Sequence, residues 1–230
     1  MRGEIAVYES ERVWRDVDDY FVETLVGEDE ALVGARESGR GSSMPQAEVA
    51  PNQGRLLALL CGMVGARRVL EFGTLAGYST VWLARAVGAE GRVTSLELEA
   101  RNADIARGNL EKAGVAEWVD VVVGPAAESA WRLVEEGVEP YDFVFIDADK
   151  PSNPEYLKAS LALTRVGSVI VIDNVVRNGA VVDDGSSDER VRGVRAVLDD
   201  IARDGRLEAT ALQTVGAKGW DGFAIVRRVR

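Results

Sequence analysis

From residue 67 onward, short continuous apolar runs alternate with longer segments in which apolar residues recur every three or four positions. The clearest runs are Val-Phe-Ile before Asp147 and Val-Ile-Val-Ile before Asp173, and no polar residue interrupts either run. Strands that are covered by helices on both faces have such uninterrupted apolar sequences, which are typical of parallel sheets. The pattern therefore predicts an α/β fold with a doubly wound, mostly parallel sheet.

Seven strands are predicted, and a short turn around residues 216–219 joins the last two. A short connection favours an antiparallel pair, here a hairpin at one edge of the sheet. The predicted strands are 69–72, 92–98, 119–123, 143–147, 168–173, 207–214 and 222–229. The predicted helices are 10–27, 28–37, 52–64, 78–87, 100–113, 126–136, 154–163 and 188–203.

The N-terminal part of the chain differs from the rest because no strand is predicted in it. Apolar residues are spaced by four between Val13 and Leu25, which predicts a helix with one apolar face. Residues 37–45 are rich in Gly and Ser, the composition of a linker or lid. We therefore expect N-terminal helices and a flexible lid segment at residues 1–48, and a ligand-binding domain at residues 49–230.

The composition excludes several classes of function. The net charge of −11 argues against nucleic acid or an anionic membrane as a partner, because both bind basic surfaces. The chain contains no histidine, which excludes Ser-His-Asp and Cys-His catalysis and zinc sites built on imidazole. A general base must then be Lys, Asp, Glu or Tyr, and a metal ion must be held by oxygen.

Cysteine usage and hydropathy indicate a compartment. Cys61 is the only cysteine, so no disulfide can form within the chain, which fits a reducing environment. The sequence does not start with a basic segment followed by an apolar one, and it has no run of about 18 apolar residues. We therefore expect a cytoplasmic protein.

A glycine-containing turn follows the first predicted strand, with the spacing Glu71-x-Gly73-x-x-x-Gly77. In open α/β sheets, ligands bind at the carboxyl ends of the strands. The turn is longer than the dinucleotide fingerprint G-x-G-x-x-G, and an acid precedes its first glycine. A carboxylate would repel a pyrophosphate and attract a ligand ammonium group. The turn therefore indicates S-adenosylmethionine, which carries an amino-acid end and no phosphate.

Two further features fit a nucleoside at this edge of the sheet. Glu97 lies at the end of the next predicted strand, where a carboxylate can accept hydrogen bonds from two ribose hydroxyls. Small residues from Gly124 to Ala126 close the third strand and leave space for an adenine ring. The alternatives are a solvated glutamate at a strand end and, for Gly73, a glycine needed only for packing.

Polar residues follow the fourth and fifth predicted strands. Asp147 ends one strand, and Asp173 and Asn174 end the other, so two carboxylates and an amide reach the edge that carries the glycine turn. An all-oxygen site suits Mg²⁺ or Ca²⁺ better than zinc. Lys150 follows closely, and a neighbouring cation would favour its neutral amine and its use as a base. The alternatives are acids that cap strand ends and a surface lysine paired with Asp149.

Five short motifs, taken together, carry a resemblance to a known family. They are Val-Ala-Pro-Asn-Gln-Gly (49–54), Val-Leu-Glu-Phe-Gly-Thr-Leu-Ala-Gly-Tyr-Ser (69–79), Phe-Ile-Asp-Ala-Asp-Lys (145–150), Asp-Asn-Val (173–175) and Lys-Gly-Trp-Asp-Gly (218–222). The chain resembles class I S-adenosylmethionine-dependent O-methyltransferases of the cation-dependent type, which include catechol and caffeoyl-coenzyme A O-methyltransferases. The resemblance runs from about residue 49 to the C-terminus and implies a Rossmann-like methyltransferase fold.

The resemblance implies a role for each matching residue. Glu71, Gly73 and Ser79 would line the methionine end of the cofactor. The remaining cofactor residues would be Glu97 at the ribose, Ala126 at the adenine, and Val49 and Asp147 in the same pocket. The divalent cation would be held by Asp147, Asp173 and Asn174, with Mg²⁺ expected and Ca²⁺ or Mn²⁺ as alternatives. Lys150 would be the catalytic base, with Asp147 beside it in the catalytic site.

The expected function is methyl transfer from S-adenosylmethionine to a hydroxyl of a small phenolic or catechol-like acceptor, by a homodimer. No acid lies near Val215, where catechol enzymes orient the second phenol hydroxyl, so a strict catechol preference is not expected. The segment 38–48 and the polar loop 175–187 are expected to cover the site. Trp220 is expected to line it, unless this residue packs in the core.

Three alternatives stay open at this point. A dinucleotide oxidoreductase has a related fold, although the long glycine turn disfavours it. A non-catalytic binding protein could have kept the cofactor fold, although the set of oxygen ligands with Lys150 disfavours this reading. The acceptor could also be a small molecule that is not phenolic, such as a hydroxamate.

Overall fold

The computed structural model describes residues 11–230, so the first residue of the predicted helix 10–27 lies outside the described residues. The helices are α1 (Glu11–Phe21), α2 (Glu30–Ser38), α3 (Pro51–Met63), α4 (Tyr78–Val87), α5 (Ala100–Lys112), α6 (Ala126–Glu135), α7 (Asn153–Leu163) and α8 (Glu189–Arg203). The strands are β1 (Arg68–Phe72), β2 (Arg92–Glu97), β3 (Val119–Val123), β4 (Tyr141–Ile146), β5 (Thr164–Asp173), β6 (Leu207–Gly216) and β7 (Gly219–Arg228).

Within residues 11–230, the strands form one seven-stranded sheet in the order β3-β2-β1-β4-β5-β7-β6. Strands β1 to β5 pair in parallel, whereas β7 pairs antiparallel with both β5 and β6. The strand order reverses between β1 and β4, which is the switch point where open α/β sheets bind ligands. The predicted fold class, with an antiparallel hairpin at one edge, is confirmed.

Two hydrophobic clusters cover the two faces of the sheet. Neighbouring residues of a strand point to opposite faces, so Val69 belongs to one cluster and Leu70 to the other. The same alternation separates Phe143 from Val144 in β4. Helices α3 and α4 pack into the first cluster, and α6, α7 and α8 pack into the second. Both faces of the central strands β4 and β5 are therefore buried along their apolar runs, which explains why no polar residue interrupts these runs.

The N-terminal helices differ in detail from the prediction. The apolar spacing predicts one helix over 10–27, but α1 ends at Phe21. The chain then forms a wider π-helical turn over Val22–Val26, which Gly27 closes in the left-handed conformation. Phe21, on the predicted apolar face, is 44% exposed, whereas Leu32 of α2 is buried against α3 and α4. None of the helices that the structure describes combines the length and apolar composition needed to cross a membrane.

Strand β5 is longer than its apolar run predicts. The run predicts a strand over 168–173, whereas β5 begins at Thr164, directly after α7. Thr164 pairs with Tyr141 of β4, and the register shifts before Phe143 pairs with Val169. Most of the added residues are exposed or only partly buried. Backbone pairing with β4 holds them in the sheet, and hydropathy does not report backbone pairing.

Candidate functional site

The carboxyl ends of β1, β4 and β5 meet at one edge of the sheet. In the strand register, the last residues of β1 and β4 pair with each other, and Ile146 of β4 pairs with Ile172 of β5. The next residues along these strands are Gly73, Asp147 and Asp173. Strand pairing therefore brings together the cofactor turn and two of the predicted metal ligands.

The turn after β1 requires glycine at position 73. Gly73 has a φ of +94°, which residues with a side chain rarely adopt, and a Cβ atom there would lie 2.3 Å from the carbonyl oxygen of Asp147. Gly77, with a φ of +81°, ends the turn immediately before α4. The turn thus packs directly against the backbone of the strand end that carries Asp147.

Glu97 lies against the same turn, at the end of β2. One of its carboxylate oxygens accepts hydrogen bonds from the backbone N–H groups of Thr74 and Leu75 at 3.2 and 2.8 Å. The other oxygen accepts from the backbone of Glu99 at 3.0 Å and from the side-chain amide of Asn102 at 3.1 Å. The turn and the strand end that were predicted to share one nucleoside are therefore in direct contact.

Glu71 lies beneath the turn, and its side chain is fully buried. Its carboxylate accepts hydrogen bonds from the hydroxyls of Ser79 at 2.6 Å, Thr80 at 2.5 Å and Ser95 at 2.6 Å. Burial raises the pKa of Glu71 to about 7 in spite of these donors. The structure thus connects Glu71 to the cofactor turn through Ser79, at the start of α4.

Lys150 and Asp147 form an ion pair next to the strand ends. The Lys150 Nζ atom lies 2.8 Å from Asp147 Oδ1, and both side chains are largely buried. Asp149, the alternative partner, instead accepts hydrogen bonds from the Tyr156 hydroxyl and the Ser152 backbone. The predicted base therefore contacts a predicted metal ligand.

The predicted metal ligands lie together at the ends of β4 and β5. Asp173 is 4% exposed, and burial and the negative charge of Asp147 raise its pKa to about 7. The backbone N–H of Asn174 donates to Asp173 at 2.8 Å. Two mutually repelling carboxylates and an amide fit a hard cation, which would relieve the repulsion. In the part of the chain that the structure describes, no cluster of three His, Cys, Asp or Glu side chains could hold a metal ion, so the amide matters.

A cavity of about 460 Å³ opens beside Asp173 and Asn174. Both segments predicted to cover the site, 38–48 and 175–187, contribute to its walls, as do α1, α3 and the β6–β7 hairpin. Its lining residues include Asp18, Glu48, Val49, Gln53, Arg177 and Lys218. Its position next to two of the predicted metal ligands makes it the candidate acceptor site.

Several polar atoms of this cavity lack hydrogen-bond partners within residues 11–230. Unpaired buried polar atoms are uncommon in folded proteins, and a bound ligand can supply the missing partners. Sequence reasoning missed these residues because they do not lie at strand ends, although the motif 49–54 includes one of them. The unpaired atoms are Glu48 Oε2, Asn52 Oδ1 and Arg177 Nε.

The other predicted residues lie around the same edge of the sheet. Val49 is buried and lines the cavity, and Ala126 is buried at the start of α6. Trp220 is 39% exposed in the hairpin, so it is not a core residue. Its indole covers Gly179, where a Cβ atom would lie 2.8 Å from the ring.

Comparison with known proteins identifies the family. The family model described as O-methyltransferase matches residues 22–229. The chain belongs to the O-methyltransferase family. This membership confirms the resemblance and the predicted enzyme class, and it contradicts the alternative of a dinucleotide oxidoreductase.

Similar proteins cover nearly the whole chain. A catechol O-methyltransferase of Mycobacterium tuberculosis is 47% identical over 91% of this chain and 94% of its own length. Another catechol O-methyltransferase, of Niastella koreensis, is 42% identical over 93% of this chain and 97% of its own length. The solved structure of the O-methyltransferase TomG from Streptomyces achromogenes has a TM-score of 0.94 at 43% identity, covering 96% of this chain and 99% of TomG. The solved structure of an O-methyltransferase from Bacillus cereus has a TM-score of 0.93 at 45% identity, covering 95% of this chain and 100% of the Bacillus protein.

Proposed function

We propose that this chain is an S-adenosylmethionine-dependent and divalent-cation-dependent O-methyltransferase that acts on a hydroxyl of a small phenolic acceptor. One arrangement carries the proposal: the turn at Gly73 packs on the backbone of Asp147, whose carboxylate pairs with Lys150. A cofactor turn, a metal-binding acid and a base therefore share one sheet edge, and the acceptor cavity opens beside it.

S-adenosylmethionine is the proposed methyl donor. TomG was solved with S-adenosylmethionine and the Bacillus cereus enzyme with its demethylated product, which supports this choice. When bound, the cofactor supplies an electrophilic methyl group on a positively charged sulfur. Glu97 would bind the ribose, and Glu71 would act from beneath the turn through Ser79. The residues proposed to form the cofactor site are Val49, Glu71, Gly73, Ser79, Glu97, Ala126 and Asp147.

A divalent cation is the second proposed component, with Mg²⁺ favoured over Ca²⁺ or Mn²⁺. Asp147, Asp173 and Asn174 would hold it through oxygen. The buried and mutually repelling carboxylates support this assignment, because a cation would neutralise them. When bound, the cation supplies a Lewis acid that lowers the pKa of an acceptor hydroxyl.

Lys150 is the proposed base. Its side chain is 8% exposed, and the hydrogen bond to Asp147 directs its Nζ atom to the sheet edge. In its neutral form the amine would take the proton of the acceptor hydroxyl. The acceptor oxygen would then form a bond to the methyl carbon, while the bond from this carbon to the cofactor sulfur would break and leave a neutral thioether. Most of the rate enhancement is expected from holding the two reactants in position.

Methyl transfer from labelled S-adenosylmethionine to a panel of phenolic acceptors tests the proposal. We expect turnover with Mg²⁺, loss of turnover after chelator treatment, and recovery when Mg²⁺ is restored. Full activity in chelator would refute the role of the cation. Lack of turnover with every acceptor, at any concentration of Mg²⁺, would refute the proposed reaction.

Lys150→Met tests the base separately. Removal of a general base is expected to lower kcat at least about 100-fold. Asp149→Asn is a matched control, because Asp149 bonds to Tyr156 and Ser152 and lies outside the proposed site. Wild-type turnover by the Lys150 variant would remove this residue from the mechanism.

We further propose that the enzyme is a homodimer. Val13 and Val17, on the apolar face of α1, are 44% and 45% exposed, and a partner subunit would cover them. Light scattering is expected to give twice the chain mass of 24.8 kDa. Val17→Lys is expected to shift the protein towards monomer, and a monomeric wild type would contradict the proposal.

A further inference from the structure

Arg177 lines the cavity beside Asp173, and the loop after β5 holds its backbone in place. Asp221 Oδ1 accepts hydrogen bonds from the backbone N–H groups of Val176 and Arg177, both at 3.0 Å. Arg177 has a φ of 56°, a left-handed conformation that costs energy for a residue with a side chain and persists only where the surroundings impose it. The position from which this side chain extends is therefore fixed.

The guanidinium group of Arg177 lacks hydrogen-bond acceptors within residues 11–230. Its Nε atom is buried without a partner, and Asp221 Oδ2, its ion-pair partner, lies 3.9 Å from the guanidinium, beyond hydrogen-bond distance. Buried charged donors normally have acceptors, and the planar fork of a guanidinium matches a carboxylate. A ligand with an anionic group would supply the missing hydrogen-bond acceptors of the guanidinium.

The acids of the cavity, in contrast, already have donors. Asp18 accepts the backbone N–H of Ala217 at 2.7 Å. One oxygen of Glu48 accepts a hydrogen bond from the ammonium of Lys218 at 2.9 Å. The second oxygen of Glu48 is available to a hydroxyl or amine donor. Two basic side chains line the described part of the cavity. Lys218 is hydrogen-bonded to Glu48 and to the carbonyl of Gln46, whereas the guanidinium of Arg177 has no hydrogen-bond acceptor there.

We infer that the methyl acceptor carries an anionic group of the carboxylate class, which binds to Arg177 while its hydroxyl occupies the site at Asp173. This inference rests on the proposed function and narrows the acceptor to hydroxylated aromatic acids. Arg177 is a specificity-determining residue. Because it contacts a part of the acceptor that does not react, its removal is expected to raise KM more than it lowers kcat.

The test compares two acceptors of the same shape, 3,4-dihydroxybenzoate and the neutral 3,4-dihydroxybenzamide. Wild-type kcat/KM is expected to be at least about tenfold higher for the acid, the scale of one charge-assisted bidentate contact. Arg177→Met is expected to bring this ratio close to one, mainly through KM for the acid. Arg177→Lys, which keeps the charge, is expected to retain part of the preference.

A matched control is Arg190→Met at the start of α8. Its guanidinium pairs with Asp188 at 2.7 Å, and Arg190 does not line the cavity, so the acid-to-amide ratio should stay at the wild-type value. Equal wild-type kcat/KM for acid and amide would overturn the inference and leave the proposed function standing. An equal loss of kcat/KM for the acid and the amide in Arg177→Met would also overturn the inference and leave the proposed function standing.

Two remaining outcomes also decide the question. If Arg177→Met does not fold, the lysine variant replaces it: a retained preference for the acid supports the inference, and loss of that preference overturns it. If the wild type methylates neither acceptor with Mg²⁺ present, the proposed function fails and the inference fails with it.

Discussion

The buried carboxylate of Glu71 makes the stability of this protein depend on pH. Burial raises its pKa from the ordinary value of 4.5 to about 7, so between these values the folded chain binds more protons here than the unfolded chain. By linkage, the contribution of Glu71 to the free energy of unfolding is greatest below pH 4.5, falls through this window, and is lost above about pH 7. At about 1.4 kcal/mol per pKa unit, the total change is about 3 kcal/mol.

Glu71→Gln isolates this contribution because glutamine does not titrate. Below about pH 7 the folded Glu71 is protonated, and the amide nitrogen of glutamine, like the O–H group of that carboxyl, donates a hydrogen bond rather than accepting one. The variant should therefore have nearly the stability of the wild type near pH 4.5. By about pH 8, the free energy of unfolding of the variant should have risen by about 3 kcal/mol relative to that of the wild type.

Urea denaturation from about pH 5 to about pH 8, followed by tryptophan fluorescence, measures this difference. Both proteins carry Asp173, so the titration of Asp173 cancels when they are compared. Glu111→Gln on the exposed side of α5 is a matched control for the exchange of a carboxyl for an amide. The reasoning would be refuted if the free energy of unfolding of Glu71→Gln relative to the wild type did not change with pH. A fall in this relative free energy as pH rises would refute it as well.

Three further changes test the site. Gly73→Ala should destabilise the fold by more than about 3 kcal/mol and abolish binding of S-adenosylmethionine, because its Cβ would lie 2.3 Å from a backbone carbonyl oxygen. Gly114→Ala, at a φ of +69° in open space, should cost only about 1 kcal/mol in urea denaturation, and equal losses would contradict this account. Glu97→Gln should weaken cofactor binding in calorimetry about tenfold by removing a charged acceptor, and unchanged affinity would remove Glu97 from the ribose site. Lys218→Met breaks the 2.9 Å pair with Glu48, which joins the β6–β7 hairpin to the segment 38–48. KM for the acceptor should therefore rise while Tm stays nearly constant, and an unchanged KM would contradict the role of this contact.

The central strands could be predicted because both of their faces are buried. A strand in that position is mostly apolar, as the run before Asp147 shows, and such runs are visible without a structure. The start of β5 could not be predicted in this way. Thr164 enters the sheet through backbone pairing with Tyr141, and backbone groups are the same in every sequence.

The residues at the strand ends were predictable for a related reason. Parallel strands place their carboxyl ends at one edge, so the positions of Asp147, Asp173 and Glu97 follow from the order of the strands. Arg177 was not predictable as part of the site. It lies in a polar loop without periodicity, and its position depends on the hydrogen bond that its backbone N–H donates to the carboxylate of Asp221, 44 residues away in sequence.

The sequence by itself determined the sheet, the glycine turn after β1 and the polar residues Asp147, Asp173 and Asn174 at the strand ends, because local patterns of residue type reflect burial and strand order. Only the tertiary structure decided how each side chain is used. It encloses Glu71 beneath the turn among three hydroxyls, and it leaves the guanidinium of Arg177 without acceptors in the cavity. Hydrogen-bond partners come from segments that are distant in the chain, such as Asp18 and Ala217, and local patterns carry no information about them.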